Sequence, residues 1–252
     1  MIKPKDYQEI GCNECTKGAG LGFDFTMAFQ PIVNTTSKTI FAQEALVRGL
    51  NQESAGEILG RINDQNRYRF DQACRVKAVK LAAQLNIKSF VSINFLPNAV
   101  YKPELCIRTT IEASETFGFP VDHIIFEITE GEKIDDHDHL REIIQYYRQK
   151  GFLTAIDDFG SGYSGLNLLA DFQTDLVKLD IGLIRDIDRK KSRQAIVKGI
   201  IQVCNDLGIK IIAEGVETFA ELEVLQSFGI ELFQGFYFAR PQFEGLATIN
   251  NL

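Results

Sequence analysis

An α/β barrel of the TIM type, with its first strand antiparallel to the rest, is the fold class predicted by three features of the sequence. Eight short apolar runs rich in β-branched residues recur along the 252 residues, helical patterns separate most of them, and the first two runs are joined by only NTTSKT. A parallel crossover needs a dozen or more residues, so the first pair is expected to be an antiparallel hairpin. The chain is 45% hydrophobic and 24% charged, which suits one large core. No low-complexity linker, strong repeat or composition break divides it, so a single folded domain is the simplest partition.

The first candidate strand, MAFQPIV at 27–33, leads through the short link to IFAQEALVRG at 40–49. In that second run, alternation puts Glu44, Leu46 and Arg48 on one face and Ala45 and Val47 on the other. Two charges on one strand face fit an ion pair on an exposed surface or a shared task toward a ligand, and the stretch alone leaves both open. A long helical pattern at 55–85 precedes SFVSINF at 89–95, and HIIFEIT follows at 123–129. The pattern LREIIQYYRQKG at 140–151 then leads to FLTAIDDFG at 152–160 and DLVKLD at 175–180. SRQAIVKGIIQVCNDLG at 192–208 precedes IKIIAEG at 209–215, and FAELEVLQSFG at 219–229 precedes IELFQGFYF at 230–238. Glycines that close these helical patterns suit C-caps.

The formal charge of −7 argues against general affinity for a nucleic-acid backbone, which relies on basic surface. No run approaches 18 apolar residues and the N-terminus lacks an apolar signal segment, so a cytoplasmic location without membrane insertion is expected. The cysteines, at 12, 15, 74, 106 and 204, form an odd, scattered set that fits reduced thiols. Cys12 and Cys15 have the spacing of half a zinc site, but no second pair completes it, and a plain N-terminal turn is the simpler reading. His137 and His139 are two apart, the wrong spacing for one helix face, and the acidic residues before Leu140 read as a helix N-terminus.

Near the C-terminal end of each strand candidate lies a polar residue in an otherwise apolar segment: Gln30, Glu44 with Arg48, Asn94, Glu127, Asp157 with Asp158, Lys178 with Asp180, Glu214 and Gln234. That rim is where barrel active sites are built. Any single acid there is more simply a cap or a turn residue, but the repetition over eight strands is not. Converging on one mouth, Glu44, Glu127, Asp157, Asp158 and Glu214 would repel one another or stay protonated without cations. Carboxylates with one amide suit hard divalent ions such as Mg²⁺ or Mn²⁺, and this many can hold two, a device for phosphodiester hydrolysis. Lys178, between apolar neighbours in DLVKLD, would be a costly residue to bury without a task.

With these residues in place, the sequence resembles the EAL domain family, bacterial phosphodiesterases of the second messenger cyclic di-GMP. The resemblance runs from about residue 26 to 241 and rests on FQPIV, EALVRG, INFLP, FEITE, IDDFGSGYSGL, LVKLD, IAEGVET and FQGFYFARP. It implies a domain over 26–252 behind an N-terminal extension of 1–25, too short for a sensor or GGDEF domain. It also implies one metal held by Glu44, Asn94, Glu127 and Asp157, and a second by Asp157, Asp158 and Glu214. Lys178 then orients or polarises the attacking water, Gln30 and Gln234 line the site, and Arg48 meets a ligand phosphate. Asp180 is grouped with the substrate-binding residues, and Glu217 supports the second metal through water or contacts the ligand. Glu130 anchors the loop DDFGSGYSG, which in this family couples homodimer formation to metal binding. Gly165 stands where the family commonly has serine or alanine, a modest gain in flexibility. Glu44 and Arg48 lie about 13 Å apart along a strand, so they can serve two parts of one extended dinucleotide. The implied activity is hydrolysis of cyclic di-GMP to linear pGpG; the alternative is a catalytically silent cyclic di-GMP receptor or protein-interaction module.

Overall fold

The hairpin forms as its short link requires. In a computed structural model describing residues 20–100, 102–129, 137–162 and 165–251, β1 (Phe25–Asn34) pairs antiparallel with β2 (Thr39–Gly49), with Gln30 opposite Glu44. The Asn34 side chain closes the turn by accepting from the backbone N–H groups of Thr36 and Ser37 at 2.9 and 2.8 Å. From β2 the sheet continues in parallel through β3 (Phe90–Asn94), β4 (Ile124–Thr129), β5 (Leu153–Phe159), β6 (Leu176–Leu179), β7 (Lys210–Ala213) and β8 (Leu232–Phe233). β8 returns antiparallel onto Val33 and Asn34 of β1 and closes an eight-stranded barrel. The short β9 (Gln242–Phe243) pairs with Ala28 and Phe29, further along the same edge of β1.

Helices cover the barrel: α1 (Ala55–Leu59), α2 (Arg67–Gln84), α3 (Pro103–Cys106), α4 (Arg108–Phe117), α5 (His137–Gln149), α6 (Gly165–Asp171), α7 (Ile181–Ile184), α8 (Lys191–Leu207) and α9 (Phe219–Ser227). Most of the buried apolar side chains lie between this layer and the outward faces of the strands. A second, smaller cluster plugs the barrel itself: Ile32, Ala42, Ile125, Ala155, Leu176, Ile212 and Leu232. Each of these residues lies two positions along its strand from one of the sequence-predicted polar residues. Side chains two apart share a strand face, so the plug fixes which residues form the next layer up. That layer is Gln30, Glu44, Glu127, Asp157, Lys178, Glu214 and Gln234.

Several elements depart from the sequence expectation. The helical pattern at 55–85 is broken by a turn, because Asn63 and Asn66 use their side chains on local backbone. Asn66 Oδ1 accepts from Asn63 N, Asn63 Oδ1 accepts from Gln65 N, and Asn66 Nδ2 donates to the Arg61 carbonyl. The last strand is two residues long instead of nine. After Phe233 the chain presses its backbone onto the segment following β7, and a Cβ on Gly235 would lie 2.0 Å from the Val216 carbonyl oxygen. Helices α3 and α4, absent from the sequence expectation, fill the connection between β3 and β4.

α5 is described from His137 onward, and the acidic residues before Leu140, read as a helix N-terminus, lie partly outside the described residues. His137 Nδ1 lies 3.0 Å from Asp171 Oδ2, and His139 Nε2 lies 2.7 Å from the Val100 carbonyl oxygen. Cys74, Cys106 and Cys204 are buried and in no disulfide, whereas Cys12 and Cys15 fall outside the described residues. Among the described residues, no helix is long and apolar enough to cross a membrane. The close approach at Gly235 gives a direct test: Gly235→Ala is expected to cost about 1–3 kcal/mol in urea unfolding, since one methyl must displace backbone.

Candidate active site

The polar layer above the plug is interlocked by hydrogen bonds. Gln234 Nε2 donates to Glu44 Oε2 at 2.6 Å and to Gln30 Oε1 at 3.1 Å, and Gln30 donates in turn to the Ala239 carbonyl oxygen. Asn94 Nδ2 donates to Glu44 Oε1 at 3.1 Å. Glu127 accepts from the Ser92 hydroxyl through Oε1 and from Lys178 through Oε2 at 2.8 Å. Ser92 is a site residue that sequence reasoning missed. It lies two positions before Asn94 on β3, and that shared strand face was the signal available.

Lys178 sits at the centre, only 1% exposed. Its Nζ lies 2.5 Å from Glu214 Oε1, 2.8 Å from Glu127 Oε2, 2.9 Å from Asp157 Oδ1 and 3.5 Å from Glu44 Oε1. Burial disfavours its ammonium, but these four carboxylates outweigh burial and hold its pKa well above the ordinary lysine value. The acids divide. Burial pushes Glu127 and Glu214 well above the usual carboxylate range in spite of Lys178. Burial also works against ionised Glu44, yet Lys178 and the amides of Gln234 and Asn94 keep it below its ordinary value.

Asp157 and Asp158 are adjacent, so strict alternation would send them to opposite faces of β5. The register between β5 and β6 slips between Ile156 and Phe159, and Asp158 takes a left-handed backbone with φ +54°. This bulge re-aims the second aspartate toward the mouth. Glu44, Glu127 and Asp157 each present an oxygen within 4.8 Å of the others, and so do Asp157, Asp158 and Glu214. Asp157 belongs to both groups. Burial first, then the charges of Asp157 and Asp180, lift the Asp158 carboxyl to about 6. An all-oxygen donor set with this excess of negative charge fits hard divalent cations.

The remaining predicted residues lie around this cluster. Arg48 is half-buried toward the end of β2, opposite Thr26, and donates to the Val47 carbonyl oxygen at 2.7 Å. Asp180 caps α7, accepting from Gly182 N at 2.7 Å. Glu217 is exposed and pairs with Arg185 at 3.0 Å. Both of these acids are outside the interlocked layer. Glu130 falls outside the described residues.

The model of the EAL domain matches residues 21–241. The chain belongs to the EAL domain family. A standalone EAL protein of Vibrio cholerae, solved in its cyclic di-GMP-bound form, is 59% identical, with a TM-score of 0.88, over 90% of this chain and 96% of that one. BlrP1 of Klebsiella pneumoniae, solved as a manganese and cyclic di-GMP complex, is 40% identical with a TM-score of 0.84, over 89% of this chain and 58% of that one. The blue light- and temperature-regulated antirepressor BluF of Escherichia coli is 34% identical over 223 residues, 88% of this chain. The chain spans 55% of BluF's length. PdeB of Shewanella oneidensis, 33% identical over 65% of this chain and 19% of its own length, is named a cyclic di-GMP phosphodiesterase.

The electrostatics would set the pH dependence of any metal uptake by these oxygens. A cation requires ionised ligands, and Asp158, with its value raised to about 6, holds its proton in acid. Uptake of a divalent cation by these oxygens would therefore strengthen as pH rises through about 6, and further as Glu127 and Glu214 ionise, releasing protons. The increase in melting temperature on adding Mn²⁺ is expected to be small at pH 5.5 and large at pH 7.5, measured by differential scanning fluorimetry.

Proposed function

We propose that the chain hydrolyses cyclic di-GMP to linear pGpG. The observation that carries this reading is the polar layer itself: carboxylates and an amide gathered about a buried lysine at the mouth of an EAL barrel. In the reaction the oxygen of a water bonds to phosphorus, one P–O3′ bond breaks, and the 3′ oxygen leaves with a proton. Glu44, Asn94, Glu127 and Asp157 would hold one divalent cation, and Asp157, Asp158 and Glu214 a second. Mg²⁺ or Mn²⁺ there supplies charge neutralisation at the phosphodiester and an acidified water.

The other residues have separate tasks in this reading. Lys178 favours the ionised form of the acids and holds them in place, and its ammonium offers a donor to the attacking water or a phosphoryl oxygen. Gln234 and Gln30 hold Glu44 in one orientation. Arg48 grips the phosphate away from the bond that breaks, with Asp180 and Glu217 at the rim of the ligand site. The catalytic domain covers 26–252 with 1–25 as an extension, acting in the cytoplasm. The active form is a homodimer through α6 and the start of α8, supported by the exposure of Leu166 (60%) and Ile196 (52%).

The antirepressor name of BluF favours a second reading, in which the barrel binds cyclic di-GMP or a protein without cleaving. Chromatography after incubation with cyclic di-GMP and Mn²⁺ separates the two: pGpG supports the enzyme, and retained substrate supports the receptor. Chelator is expected to abolish turnover and added Mn²⁺ to restore it. With Mn²⁺ present, Lys178→Met is expected to bind cyclic di-GMP as the wild type does while kcat falls by about 10²-fold or more. Arg48→Ala is expected to raise KM with a smaller effect on kcat, both read from initial-rate kinetics.

A further inference from the structure

Behind the site lies a buried ion pair that the chemistry above does not use. Alternation turns Asn94 and Glu127 toward the mouth and their neighbours Phe95 and Phe126 outward. Those two rings and that of Tyr147 on α5 surround the fully buried guanidinium of Arg75 from α2, at 5.3, 4.9 and 5.7 Å from the ring centroids. Arg75 Nη2 lies 2.7 Å from Asp71 Oδ2, and Nη1 donates to the Tyr147 hydroxyl at 2.8 Å. The other Asp71 oxygen accepts from Leu96 N at 2.9 Å, two residues beyond Asn94. Phe95 N donates to the Glu127 carbonyl oxygen at 3.1 Å, tying the two strand ends together. The contacts of this pair therefore converge on residues next to Asn94 and Glu127.

Stability is a poor reason for such a pair. Replacing a buried ion pair with apolar side chains of similar volume is often neutral or stabilising. Burial raises Asp71 above the usual carboxylate range even with Arg75 beside it, so the cost of dehydration is evident here. What apolar side chains would not supply is direction. The planar guanidinium is held by the hydrogen bond to Tyr147, by the ion pair with Asp71 and by the aromatic rings around it, and it transmits that orientation to both strand ends.

We propose that Arg75 and Asp71 are positioning residues for the acidic layer, holding the ends of β3 and β4 so that Asn94 and Glu127 keep the relation a divalent cation requires. The proposal rests on the metal-dependent reading above. Asp71→Asn combined with Arg75→Met removes both charges while keeping an acceptor for Leu96 N and most of the buried volume. Its metal-free melting temperature is expected to stay within about 4 °C of wild type. Its Mn²⁺ affinity, by calorimetry, is expected to fall about 10-fold or more. Tyr147→Phe, which removes one hydroxyl, is expected to show a smaller loss in the same direction, and it carries the test if the double variant does not fold. Wild-type Mn²⁺ affinity in the folded double variant, or in Tyr147→Phe where the double variant fails, overturns the positioning role alone. Absence of Mn²⁺ binding by the wild type overturns the metal-dependent reading and this inference with it.

Discussion

The ammonium of Lys178 among four carboxylates is the interaction on which the architecture of the site depends. Glu44, Glu127, Asp157 and Glu214 all approach it within 3.5 Å, inside a barrel where water screens little. One positive charge does not neutralise four negative ones, and burial first, then the neighbouring carboxylates, raise Glu127 and Glu214 in spite of Lys178. The layer is therefore built with a deficit of positive charge. A divalent cation or a retained proton can meet that deficit, and these two compete for the same oxygens.

Such a cluster needs a rigid support, and the barrel supplies it in layers. The apolar plug of Ile32, Ala42, Ile125, Ala155, Leu176, Ile212 and Leu232 fixes strand register, so each polar residue two positions on is delivered to the same level. Amide donors from Asn94 and Gln234 then fix the direction of Glu44, and Ser92 fixes that of Glu127. From the outside, the Phe95 and Phe126 rings rest on the Arg75 guanidinium. The acids are thus restrained on the mouth side by hydrogen bonds and on the helix side by packing.

Residues that break a local pattern were the ones legible in the sequence. A glutamate, an asparagine or a lysine near the end of an apolar strand is conspicuous, and its recurrence at strand after strand pointed to the barrel mouth, as for Glu44, Glu127 and Lys178. Asp158 was grouped with the mouth carboxylates by its place at a strand end, although alternation would have turned it outward and the bulge with its left-handed backbone has no plain sequence mark. Arg75 escaped notice because a charged residue in a helical pattern reads as solvent-facing until the packed rings are seen. The break within 55–85 was hidden for a related reason: Asn63 and Asn66 are tolerable in a helix, and only their side-chain bonds to local backbone end it. Gly235 was likewise silent, because its role depends on the distant backbone of Val216.

The charge balance around Lys178 is tested most directly by the stability of metal-free Lys178→Met as a function of pH. Without the ammonium, the carboxyls of Glu44, Glu127 and Glu214 lose their main source of ionised-state stabilisation, so Glu44 rises from below its ordinary value and Glu127 and Glu214 rise further above theirs. Groups raised in this way support the fold below their unfolded pKa and cease to do so as pH climbs through the folded one. The measurement is urea unfolding of wild type and variant from pH 5 to 8, with chelator and then with Mn²⁺. The account predicts near-equal stability at pH 5, a deficit in the metal-free variant growing to about 3 kcal/mol by pH 8, and its recovery on adding Mn²⁺. Parallel curves for the two proteins across this range, with or without Mn²⁺, would contradict it.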